Sequence, residues 1–187
     1  MLVPYDERWP PRFESTKKEL RAAFPTSLIE HVGSTSVPGL SSKNTIDVVV
    51  GVPDVVRTLN PRTLSRLSAL GFEYIPSSFA ADADHSFLHR IVEEQRTDHV
   101  HMMRLGSEAL QGHLLFRDYL RATPAAVIEY EHAKQELVAR FHNRRDDYVV
   151  QKQPVVEALM EKARAWMNES GESIAGHTDI PSSRYES

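Results

Sequence analysis

Residues 33–36 read Gly-Ser-Thr-Ser, and residue 47 is an aspartate inside an otherwise apolar, β-branched run from Ile46 to Val52. Gly33 permits close backbone approach to a ligand. The hydroxyls of Ser34, Thr35 and Ser36 stand beside backbone N–H groups, a combination suited to phosphate oxygens. An ionised carboxylate in a buried strand is costly unless it is paired, hydrogen-bonded or bound to a metal. Asp47 therefore needs a purpose, and Asp47 and Ser34 are expected to carry the chemistry. A plainer role for Asp47 is a strand-end acid that caps a helix or pairs with an arginine. His99 and His101 are two apart in a second strand-like run, so both rings share one face and with Asp47 could hold a divalent metal. His31 precedes the turn as a third metal candidate, or as a core histidine bonded to backbone.

Other groups could hold phosphates. Lys43 lies between turn and acid, Arg117 and Arg121 share a helix face at i, i+4, and so do Tyr148 and Lys152. With Lys134 they are expected to frame the far side of a cleft; ordinary solvated helix faces are the alternative. His85 and His89 are expected at the surface. Tyr5 and Trp9 are expected to pack rather than to stack on a base.

The elements that must position these residues follow from periodicity. Met1 to Pro11 reads as an extended arm, and Arg12 to Phe24 as a helix stopped by Pro25. Asn60-Pro61 starts a helix ending at Gly71, followed by a strand at Phe72–Tyr74 and a loop from Pro76 to Ala83. His85–Val92 and His99–Leu105 form a hairpin, with Glu93 to Asp98 as a connection longer than two residues. Helices follow: Ser107–Ala122; a second, capped by Thr123-Pro124, to about His142 with Val127, Tyr130, Ala133, Leu137 and Phe141 on one face; and Tyr148–Met167 around Pro154. Residues 143–147 read as a charged connection. The fold class is α+β: a mixed sheet with helices against one side and a C-terminal helical segment completing a cleft. One domain is expected over 1–167, with its sheet-containing core at 1–105 and its helical segment at 106–167; 168–187 reads as a mobile tail.

A Gly-Ser pair followed about a dozen residues later by a strand aspartate resembles the signature of the nucleotidyltransferase superfamily. The run His31-Val32-Gly33-Ser34-Thr35-Ser36-Val37-Pro38-Gly39-Leu40, with Lys43, Ile46-Asp47, His99-Val100-His101 and Phe116 to Arg121, resembles the GrpB-like family of predicted nucleotidyltransferases. That resemblance implies a nucleotidyltransferase-like sheet, a nucleoside triphosphate as substrate, and a divalent metal. Nitrogen ligands would shift the choice from Mg²⁺ toward Mn²⁺ or Zn²⁺. It also implies a Tyr and a Lys at the spacing of Tyr148 and Lys152, and a context near coenzyme A metabolism, because family members occur fused to dephospho-CoA kinase. The sequence departs from the superfamily at Val49, where a second acid usually stands.

Composition bounds the rest. The 187 residues are 41% hydrophobic and 26% charged, with a formal net charge of −4 and no cysteine. A broad nucleic-acid surface is not expected, and thiolate metal sites and disulfides are excluded. The N-terminus carries no basic, apolar leader, and no apolar run reaches the ~18 residues of a membrane span, so a cytoplasmic protein is expected. Three functions fit: metal-dependent nucleotidyl transfer to an acceptor the sequence does not identify, a non-catalytic module binding a nucleotide or coenzyme A-type ligand, or a hydrolase or cyclase using a His-His-Asp metal site.

Overall fold

The computed structural model describes residues 2–141 and 144–170. The chain opens with helix α1 (Trp9–Ala23), strand β1 (Leu28–Val32), a single 3₁₀ turn (Ser34–Ser36) and strand β2 (Ile46–Val52). Helices α2 (Val55–Thr58) and α3 (Pro61–Ala69) and strands β3 (Phe72–Tyr74), β4 (His85–Val92) and β5 (Gln95–Arg104) follow. Helices α4 (Glu108–Ala122), α5 (Pro124–Arg140) and α6 (Arg145–Ser170) end the described chain. The strands form one mixed sheet in the order β1-β2-β5-β4-β3, in which only β2 and β5 run parallel.

Alternation along β2 and β5 divides the side chains between two faces. Val48, Val50, Val100 and Met102 join Trp9, Phe13 and Leu20 of α1 and Leu67 of α3 in the main core. On the other face, Val49 and Met103 join Leu110 and Leu114 of α4. Helices therefore cover both faces rather than one. Beyond the sheet, Leu115, Tyr119 and Leu120 of α4 pack with Ala126 and Tyr130 of α5 and Leu159 and Ala163 of α6 in a third cluster. Asp47 lies on the α4 face, near the start of β2 where that cover stops.

Several boundaries differ from the sequence reading. Helix α1 begins at Trp9, because Pro10 and Pro11 fall in its first turn, where the missing N–H groups cost nothing and the fixed φ suits a helix. Helix α2, with Asp54 accepting a cap bond from the Arg57 N–H, is too short to show a period. The β4–β5 hairpin closes through only Glu93 and Glu94, both at positive φ (49° and 64°), so Gln95 pairs with Val92 and β5 starts before His99. Two consecutive left-handed residues suit the twist of a two-residue turn, and neither is the Asn or Gly that usually signals one. Thr123 makes no side-chain cap bond. The buried stripe of α5 is Ala126, Tyr130 and Lys134, so a lysine joins a face that the sequence reads as apolar. Residues 145–147 belong to α6, which runs through Pro154 and on to Ser170, so 168–170 are helical. Residues 171–187, the rest of the expected tail, lie outside the described residues.

A buried acid ties the hairpin to α1. Asp98 is 2% exposed and accepts bonds from Thr16 (2.7 Å), Thr97 (2.7 Å) and Arg90 (2.9 Å). Arg90 also reaches Glu19 of α1 at 2.5 Å. Removing one partner of such a pair leaves a charge out of water. Arg90→Ala is expected to cost about 3 kcal/mol of unfolding free energy in urea titrations, and a loss under about 1 kcal/mol would remove this network from the account of stability.

Candidate functional site

Gly33 ends β1 with φ +69°, and Ser34 to Ser36 form the turn behind it. The Ser36 hydroxyl donates to the Gly33 carbonyl at 2.7 Å, and Thr35, fully buried, bonds His31 Nε2 at 3.0 Å. Two of the three turn hydroxyls are thus spent inside the fold, while Ser34 meets the buried Tyr130 hydroxyl of α5. A Cβ on Gly33 would overlap the Asp47 carboxylate. The space that glycine leaves open is therefore filled by the acid of the next strand, which also borders the cavity described below.

Asp47 Oδ1 accepts a hydrogen bond from His99 Nδ1 at 2.9 Å across the parallel β2–β5 register. Burial pushes the carboxyl up, but the His99 bond and the nearby His101 and Lys152 outweigh it, so Asp47 lies below its ordinary value and is ionised at neutral pH. His101, two residues on, bonds His85 Nε2 of β4 through its Nδ1 at 2.9 Å. His113 of α4 stands with its ring centroid 5.3 Å from that of His101. His85 and His89 are 5% and 6% exposed, buried on the same face rather than at the surface; β4 is an inner strand, and His89 bonds Glu73 of β3.

A cavity of about 510 Å³ opens over this face. Gly33, Ser34 and Lys43 line it from the turn side, Asp47, His99 and His101 from the sheet. Ala109, Gly112, His113 and Phe116, an i, i+3, i+4, i+7 stripe, come from α4; Tyr130 and Lys134 from α5; Tyr148, Lys152 and Met160 from α6. Small residues at Ala109 and Gly112 leave the room. Three lysines line the cavity with one carboxylate, a balance suited to a polyanion. Lys43 Nζ sits 5.2 Å above the Tyr148 ring. Burial pulls Lys134 down to about 8; its ammonium bonds the Ser41 carbonyl and lies 3.5 Å from Glu131.

The expected phosphate residues are thereby divided. Gly33, Ser34, Lys43, Lys134, Tyr148 and Lys152 share the cavity with Asp47. Thr35 is internal, and Ser36, Arg117 and Arg121 lie on the other side of the turn, around a second cavity. Arg117 is 4% exposed and held by Glu30 (2.8 Å) and Asp118 (2.7 Å). His31 also faces away, stacked on Phe13 with centroids 4.7 Å apart, as a core histidine would be. Sequence reasoning passes over Tyr130 and His113. Tyr130 reads as apolar packing, and the signal for His113 is its place as the polar member of the Ala109-Gly112-Phe116 stripe.

Among the described residues no group of three or more His, Asp or Glu side chains is arranged to hold a metal ion. Asp47 and His99 are bonded to each other and His101 to His85, so the expected three-ligand set is not formed as a resident site. What fits the residues present is a single carboxylate for a hard cation that arrives on a ligand's phosphates, since Mg²⁺ needs only one or two carboxylates beside those oxygens.

The model of the family described as GrpB protein matches residues 1–162. This chain belongs to the GrpB family. It is 34% identical over 166 residues to the UPF0157 protein SCO7215 of Streptomyces coelicolor, covering 88% of this chain and 84% of that one. Identity to the UPF0157 protein YqkA of Bacillus subtilis is 29% over 171 residues, 88% of this chain but 47% of YqkA, so the chain spans about half of that relative. The crystal structure of GrpB from Enterococcus faecalis superposes with a TM-score of 0.80 at 26% identity, over 92% of this chain and 100% of that one. A Cid1 structure described as an RNA terminal uridylyl transferase aligns with a TM-score of 0.52 at 13% identity, over 74% of this chain and 42% of Cid1. That likeness shows a nucleotidyltransferase-like fold. No described helix is long and apolar enough to cross a membrane.

Buried neutral histidines make the GrpB fold sensitive to acid. Burial lowers His31 and His85 to about 4 each, from an ordinary 6.5. Between those values the unfolded chain takes up protons that the folded chain refuses, so stability falls as pH drops from 6.5 toward 4 and is level above 6.5 on their account. Each contributes a slope of up to about 1.4 kcal/mol per pH unit in that window. Urea midpoints measured from about pH 7.5 to about 4.5 should show the fall, and His31→Gln or His85→Gln should each make it shallower. Gly33→Ala is expected to lose about 2 kcal/mol from left-handed strain and the clash with Asp47, read from the same titrations.

Proposed function

We propose that this GrpB protein binds a nucleoside triphosphate in the cavity over the Gly33-Ser34 turn and transfers its nucleotidyl group to an acceptor. The observation that carries the reading is the convergence on one cavity of an ionised Asp47, the Ser34 turn, and the cations Lys43, Lys134 and Lys152. Lys134 is already engaged by Glu131, and Lys43 and Lys152 beside the Asp47 carboxylate favour a ligand that carries several negative charges, as a triphosphate does. The nucleotidyltransferase-like fold supports the same chemistry.

In the proposed step an acceptor oxygen bonds to the α-phosphorus, the bond from that phosphorus to the pyrophosphate oxygen breaks, and pyrophosphate leaves. The acceptor proton passes to Asp47, which His99 holds in place through the 2.9 Å bond. Lys43 and Lys152 neutralise the leaving phosphates, and Ser34 donates from the turn. A divalent ion carried on the triphosphate would offset phosphate charge beside Asp47.

A second reading is a binding module without transfer. It is favoured by Val49, which is fully buried with Leu110 and Leu114 where a second carboxylate would sit, so Asp47 is the one acid lining the cavity among the described residues. Similarity to a protein of Mycolicibacterium paratuberculosis named dephospho-CoA kinase, 27% over 194 residues and 47% of its length, makes coenzyme A a ligand to test alongside ATP and GTP.

Calorimetry with ATP, GTP and coenzyme A, with and without Mn²⁺, combined with pyrophosphate release, separates the readings. Triphosphate binding with pyrophosphate release supports transfer, binding without release supports the module, and metal binding without nucleotide affinity supports the hydrolase or cyclase. Asp47→Asn should cut turnover at least about 100-fold with an unchanged circular dichroism spectrum. Lys43→Ala and Lys152→Ala should each weaken triphosphate binding about tenfold. Unaltered turnover in Asp47→Asn would end the catalytic assignment.

A further inference from the structure

The second cavity, about 780 Å³, lies behind the same turn, between α1, the β1 end and the start of α5. Its walls combine flat and apolar groups with cations. Phe13 and His31 stack with only 11° between their planes, and Pro38, Leu120 and Val127 continue the apolar wall. Lys17 and Arg121 supply positive charge; of the two carboxylates in the lining, Glu30 is taken up by Arg117 and Glu14 lies one helical turn before Lys17 on α1.

The two arginines of this wall, one helical turn apart on α4, are treated differently. Arg117 is bracketed by Glu30 and Asp118 and needs no further anion. Arg121 donates its Nε to the Ser36 carbonyl at 2.9 Å, and no ion pair engages it among the described residues. That one bond fixes the plane of the guanidinium and leaves its two terminal nitrogens, the fork that grips a carboxylate or phosphate in bidentate fashion. Lys17 likewise has no carboxylate partner among the described residues; its Nζ lies 5.3 Å from the Phe13 centroid. Burial first and Arg117 next hold Arg121 below the usual arginine value, against the smaller opposing pull of Asp118, Glu30 and Tyr5.

We propose that this cavity is a second ligand site, separate from the Asp47 cavity, for a small organic anion with a flat apolar body. Its carboxylate or phosphate is gripped by Arg121 with Lys17 assisting, and its apolar body lies along Phe13, Pro38 and Val127. The site does not depend on transfer at Asp47. Its ligand would touch the opposite side of the Gly33 to Ser36 turn from a nucleotide, through the Arg121 bond to Ser36.

Phenyl phosphate and inorganic phosphate serve as matched probes in calorimetry on the full chain. Phenyl phosphate should bind the wild type, bind Arg121→Gln at least about tenfold more weakly, and bind Lys17→Gln more weakly by a smaller factor. Lys152→Gln, which removes a phosphate-binding cation from the Asp47 cavity, should leave the Arg121-dependent part of that binding within about twofold. Lys17 is on the outer part of α1, so its variant keeps the test informative if Arg121→Gln unfolds. No binding of phenyl phosphate, binding insensitive to both Arg121 and Lys17, or disappearance of the Arg121-dependent part in Lys152→Gln would overturn the proposal. Inorganic phosphate bound as tightly as phenyl phosphate would overturn the apolar part of the ligand class.

Discussion

The carboxylate of Asp47, pressed against the backbone of Gly33 and bonded to His99, sets the geometry of everything around it. An acid on an inner strand must be compensated, and here three constraints meet at one point. The turn must carry no side chain at residue 33, β5 must run parallel to β2 to bring His99 opposite Asp47, and the α4 face must stay uncovered there. Without the β2–β5 register the half-buried carboxylate would lose its His99 partner. The bond that meets this cost also orients the carboxylate toward the cavity.

The two faces of the sheet divide the work between stability and chemistry. Toward α1 and α3, β2 and β5 present valines and Met102, and the acid on that side, Asp98, is saturated by Thr16, Thr97 and Arg90. Toward α4 the same strands present Asp47, His99 and His101, followed by Val49 and Met103 where the helix closes down. Alternation by two residues thus places a sealed polar network, through Asp98, and an open one, through His99 and His101, on opposite faces of β5. The sealed network holds the hairpin to α1 and thereby holds β5, and with it His99, in register.

The 3₁₀ turn is the partition between two cavities. Ser34 meets Tyr130 on one side, while Ser36 offers its carbonyl to Arg121 on the other. Its own hydroxyls are used to hold its shape: Ser36 bonds Gly33, and Thr35 bonds His31. A turn so braced presents fixed donors, which is what an anion site requires. His31 behind it and His101 in the cavity are neutral because burial denies them a proton, so the site's charge is carried by Asp47 and the lysines.

Much of this was legible from residue order. The turn-strand-acid unit, the pairing of His99 with the face of Asp47, the Asn60 cap and the α4 to α6 segment all follow from local periodicity and turn chemistry, because those depend on near neighbours in the chain. The partners of charged groups did not follow. Arg117 and Arg121 have the same type and share a helix face, yet one is paired with Glu30, 87 positions away, and the other forms no ion pair among the described residues. His85 and His89 read as surface residues because nothing local shows that β4 is an inner strand. Sequence determined the elements and the kinds of chemistry available. Only the tertiary fold decided which side chains share a cavity, because burial and ion pairing are set by segments distant in sequence that meet when the sheet closes under α4.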